Sequence, residues 1–94
     1  MNEQVYNLVR KIPKGKVSSY KAIARKLNIN SYRLVGKLLS KNYDSLIPCH
    51  RVIHSNGSIS GYNRGINLKK QKLIQEDIEV KNNKIDRKFF FEFK

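Results

Sequence analysis

The sequence predicts a small, mainly α-helical domain with a minor β element. The chain has 94 residues, which suffice for one modest hydrophobic core and are too few for a two-domain enzyme. Apolar residues recur at helical spacing in three successive segments, and a segment rich in turn-forming residues follows them. Hydrophobic residues make up 39% of the chain, a share that supports a folded core and excludes a disordered basic tail.

Three helices are predicted in the first half of the chain. The first spans residues 2–11, and Ser18 or Ser19 caps the second. An asparagine-containing turn at residues 28–30 ends the second helix, and Ser31 caps the third. The apolar faces of the three helices consist of Val5, Leu8, Val9 and Ile12, of Tyr20, Ile23, Ala24 and Leu27, and of Leu34, Val35, Leu38 and Leu39.

The second and third predicted helices have the pattern of a helix-turn-helix. Both are short, a tight polar turn joins them, and the outer face of the third helix is basic. That outer face carries Arg33, Gly36, Lys37, Ser40 and Lys41. We therefore predict a winged-helix-like domain of the kind that binds DNA through the second helix of its helix-turn-helix.

The second half of the chain predicts a hairpin and a fourth helix. Residues 47–53 and 58–61 flank Ser-Asn-Gly at residues 55–57, which is a hairpin-type turn signal. A last helix begins at Ile66 and ends at about Glu76. The lysines that we expect to be exposed on this helix are Lys69, Lys70 and Lys72.

The chain divides into one domain and a short extension. Residues 1–80 contain all four predicted helices and form the domain. Residues 81–94 begin with a polar Lys-Asn-Asn-Lys segment and end in a run of phenylalanines. We expect this extension to be a small hairpin or a tail that closes the core.

Basic residues dominate the chain and are unevenly placed. Lysine and arginine number 20 against 7 aspartates and glutamates, which gives a formal net charge of +13. Asp44 is the only acidic residue between Glu3 and Glu76. An ordinary solvated surface mixes both signs, so this distribution indicates a polyanionic partner. A generic basic surface is the alternative, and a basic membrane helix fits less well because the charges are spread over several elements.

Several other classes of protein are excluded or disfavoured by composition. No apolar stretch is long enough to span a membrane, and the N-terminus lacks the apolar run of a secretory signal. A single cysteine forms no internal disulfide and supplies no cysteine-rich zinc site. We therefore expect a monomer without metal, cofactor or membrane partner, located with DNA in the cytoplasm, or in the nucleus of a eukaryote.

The candidate chemistry lies in residues 48–52, Pro-Cys-His-Arg-Val. A thiol is nucleophilic as the thiolate, and a free thiol has a pKa of about 8.5, so little thiolate is present at neutral pH. A neighbouring imidazole or cation raises that fraction, and a third group can orient the imidazole. Cys49 is followed directly by His50 and Arg51. A small buried cysteine beside a surface histidine stays open as the alternative.

The Pro-Cys-His-Arg-Val segment resembles the active-site signature of the methylated-DNA–protein-cysteine methyltransferases, the alkylguanine-DNA alkyltransferases. Other segments are similar to this family in order and spacing, and the resemblance covers about residues 2 to 80. These segments are residues 15–20, 22–24, 33–36, 55–57, 61–65 and 72–76. The resemblance implies a helix-turn-helix domain of the alkyltransferase type.

The resemblance implies one irreversible transfer of an alkyl group from the oxygen of a modified guanine to Cys49. His50 would deprotonate the thiol through a water molecule, and Glu76 would orient His50. The backbone carbonyls of Cys49 and Val52 would read the guanine. The family needs no cofactor for this reaction.

The resemblance also implies double-stranded DNA containing alkylated guanine as the partner, bound through the minor groove. Arg33 would fill the space of the extruded nucleotide, and Tyr20 would press on the neighbouring phosphate. The residues implied at the DNA are Tyr20, Ser31, Arg33, Gly36, Lys37 and Arg51. The residues implied at the alkylguanine pocket are Tyr20, Pro48, Val52, Tyr62, Asn63 and Arg64, with Asn42 as a hinge. A core position for Tyr20, a helix-end position for Glu76 and a phosphate contact for Arg33 are the alternatives.

The sequence departs from the family pattern, and two other functions compete. The family usually has a separate N-terminal domain, a proline after the residue that matches Asn42, and small residues where Asn63 and Arg64 stand. An alkyltransferase-like sensor, which binds alkylguanine without catalysis and recruits excision repair, is one alternative. Such sensors usually replace the cysteine, which this chain keeps. A plain helix-turn-helix regulator is the other, and it leaves residues 48–52 and Glu76 unexplained.

Overall fold

Four α-helices and a two-stranded parallel sheet make up the part of the chain that the computed structural model describes, residues 2–41, 47–59 and 65–93. This arrangement confirms the predicted mainly helical fold with a small β element. The elements are α1 (Asn2–Arg10), β1 (Ser18–Ser19), α2 (Tyr20–Lys26), α3 (Tyr32–Ser40), β2 (Val52–Ile53) and α4 (Ile66–Gln75), with 3-10 turns at Cys49–Arg51 and Arg87–Phe89. Within these described residues, no helix has the length and apolar character that crossing a bilayer requires.

Local signals in the sequence determine how α2 begins and ends. Ser19 has an extended backbone, and its hydroxyl accepts a hydrogen bond of 3.0 Å from the backbone N–H of Ala22. After α2 the chain turns at Asn28, whose left-handed φ of 57° suits asparagine. Ser31 caps α3 through its extended backbone, but its hydroxyl makes no capping hydrogen bond.

The helix-turn-helix packs on α1 around one hydrophobic cluster. Val9 and Ile12 from the α1 segment, Ile23 of α2 and Val35 of α3 are completely buried in this cluster. Cys49 belongs to the same cluster, although it comes from the turn before β2. The core therefore holds the cysteine against the helix-turn-helix.

The predicted hairpin is wrong beyond its turn. The turn forms as expected, with the N–H of Gly57 donating to the carbonyl of His54 at 2.9 Å. However, β2 pairs in parallel with β1, and the N–H of Ile59 donates to the carbonyl of Asn83. Next to the turn, the N–H of His54 still donates to the carbonyl of Ser58 at 3.0 Å, and beyond it Ile53 and Ile59 are both buried in a second cluster.

The C-terminal residues 81–93 pack onto the helical part of the chain. Ile85 is buried in the second cluster, together with Leu73 of α4. The N–H of Val17 donates to the carbonyl of Phe89, and the N–H of Phe91 donates back to the carbonyl of Val17, at 2.8 and 2.7 Å. These residues extend the sheet edge at Val17 and cover the core.

Candidate active site

Cys49 begins a 3-10 turn that leads from the core into β2. The N–H of Arg51 donates to the carbonyl of Pro48, and the N–H of Val52 donates to the carbonyl of Cys49. Cys49 has a free thiol and is buried, with 8% of its surface exposed. The thiol is therefore held in the wall of the core by a turn that backbone hydrogen bonds stabilise.

His50 lies against Glu76, which is the residue that follows α4. The His50 Nε2 atom is 2.8 Å from Glu76 Oε2, and both side chains are nearly buried. Because an ionised carboxylate only accepts hydrogen bonds, we assign the ring hydrogen to Nε2. Nδ1 then carries the lone pair and is the atom able to accept a proton. Burial lowers the pKa of His50 although Glu76 opposes that shift, so the neutral, basic imidazole predominates at neutral pH.

Arg51 is directed into the protein, where it pairs with Glu76, and its contact with DNA stays a prediction. Its Nη2 and Nε atoms donate to the two carboxylate oxygens of Glu76 at 2.8 and 2.9 Å. Its Nη1 atom donates to the carbonyl of Ile12 at 2.8 Å. A guanidinium used in this way is a bidentate clamp on the carboxylate, and it has few donors left for a phosphate.

Glu76 collects hydrogen bonds from three segments of the chain. Besides His50 and Arg51, the backbone N–H of Gly15 donates to its Oε1 atom at 3.3 Å. Burial alone would raise the pKa of Glu76, but the bonds from Arg51, His50 and Gly15 outweigh it and lower that pKa to about 2. The carboxylate is thus ionised at all physiological pH values and fixes the His50 ring.

We expect Glu76 to make the folded protein acid-sensitive. Its pKa in the folded state is about 2, below the ordinary value of 4.5, so its stabilisation is complete above pH 4.5 and is lost as the pH falls towards 2. In urea titrations, Glu76→Gln should be less stable than the parent at pH 7 and should lose less stability between about pH 5 and pH 2.

Glu79→Gln is the matched control for that experiment. Glu79 is exposed, and it pairs at 3.5 Å with Lys81, which is exposed as well, so water screens the pair. Its stability should follow the parent at every pH. Parallel curves for the parent and Glu76→Gln would show that the Glu76 carboxylate does not stabilise the fold.

Lys69 of α4 is buried, and the prediction that it is exposed is wrong. None of its surface is accessible, and its Nζ atom donates to the carbonyl of Val52 at 2.8 Å. The sequence did offer one signal of this burial: Lys69 lies four residues before the buried Leu73, and residues four apart share one face of a helix. Ile74 of the same helix is half exposed.

Tyr20 opens α2 beside the thiol. Its side chain is 8% exposed, and the centre of its ring lies 5.2 Å from that of His54. A Cβ atom added to Gly36 would lie 3.8 Å from the carbon atoms of the Tyr20 ring. Burial raises the pKa of Tyr20 to about 12, and the neighbouring Cys49 thiolate adds to this shift. The phenol therefore stays protonated and can donate a hydrogen bond, while Gly36 permits α3 to pack over it.

The other predicted site residues are distributed around this centre. Ser31, Arg33 and Lys37 are exposed on or beside α3, Pro48 is half-buried, and Val52 is completely buried. A cavity of about 260 Å³ opens next to Tyr20, and its walls are Tyr20, Lys21, Tyr32, His54, Ser55 and Asn56. Asn42, Tyr62, Asn63 and Arg64 lie outside the described residues. Among the described residues, no three histidine, cysteine, aspartate or glutamate side chains are grouped as a metal site requires.

Residues 1–78 match the family model of the 6-O-methylguanine DNA methyltransferase DNA-binding domain. The chain belongs to this methyltransferase family. It is 52% identical over 77 residues to a methylated-DNA–protein-cysteine methyltransferase of Saccharolobus islandicus, covering 81% of this chain and 50% of that protein. It is 42% identical over 86 residues to the enzyme of the same name from Candida glabrata, covering 89% of this chain and 42% of that protein.

The methyltransferase domain therefore spans half or less of the length of these two curated relatives. Its fold also matches the crystal structure of S. pombe Atl1 in complex with damaged DNA containing O6-carboxymethylguanine. That match has a TM-score of 0.88 at 30% identity and covers 98% of this chain and 94% of Atl1. The family and its DNA-binding fold, both expected from the sequence, are confirmed.

Proposed function

We propose that this protein repairs double-stranded DNA by transferring the alkyl group of O6-alkylguanine irreversibly to Cys49. One observation carries the proposal above the others. Cys49 and His50 share one rigid turn, and the imidazole of His50 is oriented at 2.8 Å by a Glu76 carboxylate that Arg51 holds ionised. A thiol followed by an oriented, neutral imidazole is the arrangement that generates a nucleophilic thiolate.

The proposed reaction transfers one proton and one alkyl group. Nδ1 of His50 accepts the Cys49 proton through a water molecule, and Glu76 stabilises the imidazolium. The thiolate sulfur attacks the alkyl carbon, a C–S bond forms as the carbon–oxygen bond breaks, and the electron pair stays on the guanine oxygen. The proton held by His50 then passes to the guanine anion, so that the products are neutral guanine, the Cys49 thioether and a neutral imidazole. Because a thioether does not release its alkyl group, each molecule acts once.

The DNA would contact the exposed face of α3 and the cavity next to Tyr20. Arg33 and Lys37 present positive charge there, and Gly36 lets the helix approach closely. We propose that α3 enters the minor groove and that the guanine is extruded towards Cys49, because a stacked base keeps its oxygen out of reach of a buried thiol. The protonated Tyr20 hydroxyl would donate a hydrogen bond to the extruded nucleotide.

Mass spectrometry of the intact protein tests the proposal. After incubation with a duplex containing O6-methylguanine, the protein should gain the mass of one methyl group and no more. Since the chain has one cysteine, peptide mapping should place that group on Cys49. Cys49→Ala is the control and should bind the duplex while remaining unmodified. Binding without any mass gain, or a methyl group on another residue, would contradict transfer to Cys49.

A second candidate function is an alkyltransferase-like sensor, and one observation favours it. The fold matches that of S. pombe Atl1, which was crystallised with DNA containing O6-carboxymethylguanine, with a TM-score of 0.88. Such a sensor would bind duplexes containing O6-alkylguanine more tightly than unmodified duplexes. It would show no methyl transfer even with its thiol intact, so the same mass measurement separates the two functions.

A further inference from the structure

A larger groove lies beside the cavity at Tyr20, and no step of the proposed reaction uses it. It encloses about 810 Å³, and Ser18 and Ser19 of β1 lie along it. Helix α2 contributes one wall, and residues of the segment 87–93 contribute the other. We call this feature the C-terminal groove.

The wall formed by the C-terminal segment is fixed to the rest of the fold. The N–H of Val17 donates to the carbonyl of Phe89, and the N–H of Phe91 donates to the carbonyl of Val17. The rings of Phe91 and Phe93 meet edge to face with their centres 5.4 Å apart, and both pack against the first hydrophobic cluster. The groove is therefore a built surface, and this wall lies beyond residues 1–78, which the family model matches.

Positive charge dominates the groove. Its walls carry four exposed cations, Lys21, Arg25 and Lys26 on α2 and Arg87 on the C-terminal segment, against the one acid Glu92 among the described lining residues. Within the part of the chain that the structure describes, none of these four cations forms an ion pair. Cations of one sign around a concave surface raise the local potential, so the groove suits a polyanion.

The groove also offers apolar surface and an unsatisfied polar group. Phe90 and Phe93 line it and are half-buried, so part of each side chain is accessible. The Oγ atom of Ser18 is buried and has no hydrogen-bond partner among the described residues, although nearly all such atoms in proteins have one. Cations interspersed with aromatic rings are typical of surfaces that bind nucleic-acid strands, where the cations contact phosphates and the rings contact sugars and bases.

The C-terminal groove is continuous with the cavity at Tyr20. Lys21 and Ser55 line both, and Ser19 in the groove directly precedes Tyr20 in the chain. A polyanion that occupies the cavity therefore meets its next cations in the groove. An acidic peptide would be attracted by the same charges, but it would not account for a groove that continues the proposed DNA site.

We propose that the C-terminal groove binds backbone phosphates of the DNA that flanks the lesion, so that Arg25 and Arg87 lengthen the contact begun by α3 and the cavity. Phosphate contacts position a protein on DNA and carry no sequence information, so this contact is independent of sequence. The inference rests on the DNA binding in the proposed function, but it does not depend on whether the alkyl group is transferred.

Three duplexes of equal length test the inference. The chain extends 31 Å in its longest dimension, which corresponds to roughly nine base pairs at about 3.4 Å each. O6-Methylguanine is placed at the centre of a duplex of about 24 base pairs, or about two base pairs from one end or the other. Around a central lesion the DNA reaches the groove, whereas in one of the two end duplexes it stops short of it.

The variants remove one cation from each wall, and the affinity is measured by fluorescence anisotropy with unmodified duplex as competitor. Arg87→Ala and Arg25→Ala are the groove variants. Lys88→Ala is the matched control, because Lys88 is exposed and adjacent to Arg87 but lies over the Phe89 ring, at 5.3 Å, and does not line the groove. Every protein in this series also carries Cys49→Ala, so no methyl transfer disturbs the binding equilibrium.

Each groove variant should bind the central duplex about three- to tenfold more weakly than its parent at about 0.1 M salt. Its slope of log Kd against log salt should be smaller by about one, while Lys88→Ala should follow the parent. The loss should disappear on one end duplex, the same one for both variants. Circular dichroism establishes that each variant is folded, and the two walls provide independent tests.

Two results would overturn the inference. Equal losses on all three duplexes, or the same loss in Lys88→Ala, would show that net charge and not the groove is responsible. Unchanged DNA affinity in both groove variants, together with loss of binding to a polyglutamate peptide, would assign the groove to an acidic protein partner.

Failure of this inference is distinguishable from failure of the proposed function. A loss confined to the central duplex and one end duplex, together with no methyl transfer to the protein that retains Cys49, would keep the groove as a DNA site and refute the repair reaction. Methyl transfer together with parental affinity of both groove variants on every duplex would support the repair reaction and overturn the role of the groove.

Discussion

Replacing His50 with glutamine should slow methyl transfer to Cys49 by about 10²–10⁴-fold, because the thiol would lose its general base. Glutamine retains a polar group near Glu76 but does not accept a proton at neutral pH. The measurement is the single-turnover rate on a duplex containing O6-methylguanine, read by intact mass. Affinity for the same duplex should stay within a few-fold of the parent, since His50 is mostly buried against Glu76.

Glu76→Gln should also lower the transfer rate, because the carboxylate that orients the His50 ring is lost. Glu76 also holds Arg51, so this variant must be measured under conditions in which urea titration shows it to be folded. Glu79→Gln is the control and should react at the parental rate. If both His50→Gln and Glu76→Gln reacted at the parental rate, the thiolate would form without the imidazole of His50.

Replacing Arg33 with alanine should impair repair of duplex DNA without impairing the chemistry. Arg33 is exposed at the start of α3, away from the core face formed by Val35 and Leu39. Extruding a base costs a few kcal/mol, and a side chain that fills the gap offsets part of this cost. We therefore expect Arg33→Ala to react about 10- to 100-fold more slowly with duplex, and almost normally with free O6-methylguanine base.

Lys37→Ala is the matched control, since Lys37 is equally exposed and lies one helical turn away. It should weaken duplex binding and leave the rate from the bound state unchanged. For Tyr20 the informative change is Tyr20→Phe, because alanine would leave a cavity in the core. Equal losses on duplex and on free base in Arg33→Ala would show that Arg33 shapes the pocket or the fold and does not support extrusion.

The sequence alone determined the helices and the location of the candidate chemistry. The apolar spacing in α1, α2 and α3, the Ser19 cap and the asparagine turn are properties of neighbouring residues, so they can be read without knowing the fold. Residues 48–52 are contiguous, and their similarity to one family pointed to Cys49, His50 and the distant Glu76. The structure then brought the His50 and Glu76 side chains to 2.8 Å.

Only the tertiary structure decided where Arg51 and Lys69 point and which strands pair. The resemblance implied Arg51 at the DNA, and only the folded chain shows that the Glu76 carboxylate and the carbonyl of Ile12 meet its guanidinium. Lys69 looked exposed because lysine usually is, yet it is completely buried and its ammonium donates to the carbonyl of Val52 in β2. β2 left its predicted hairpin partner for β1, which precedes it by more than thirty residues. In each case the deciding contact joins segments far apart in sequence, and its energy depends on the burial that the packing of those segments creates.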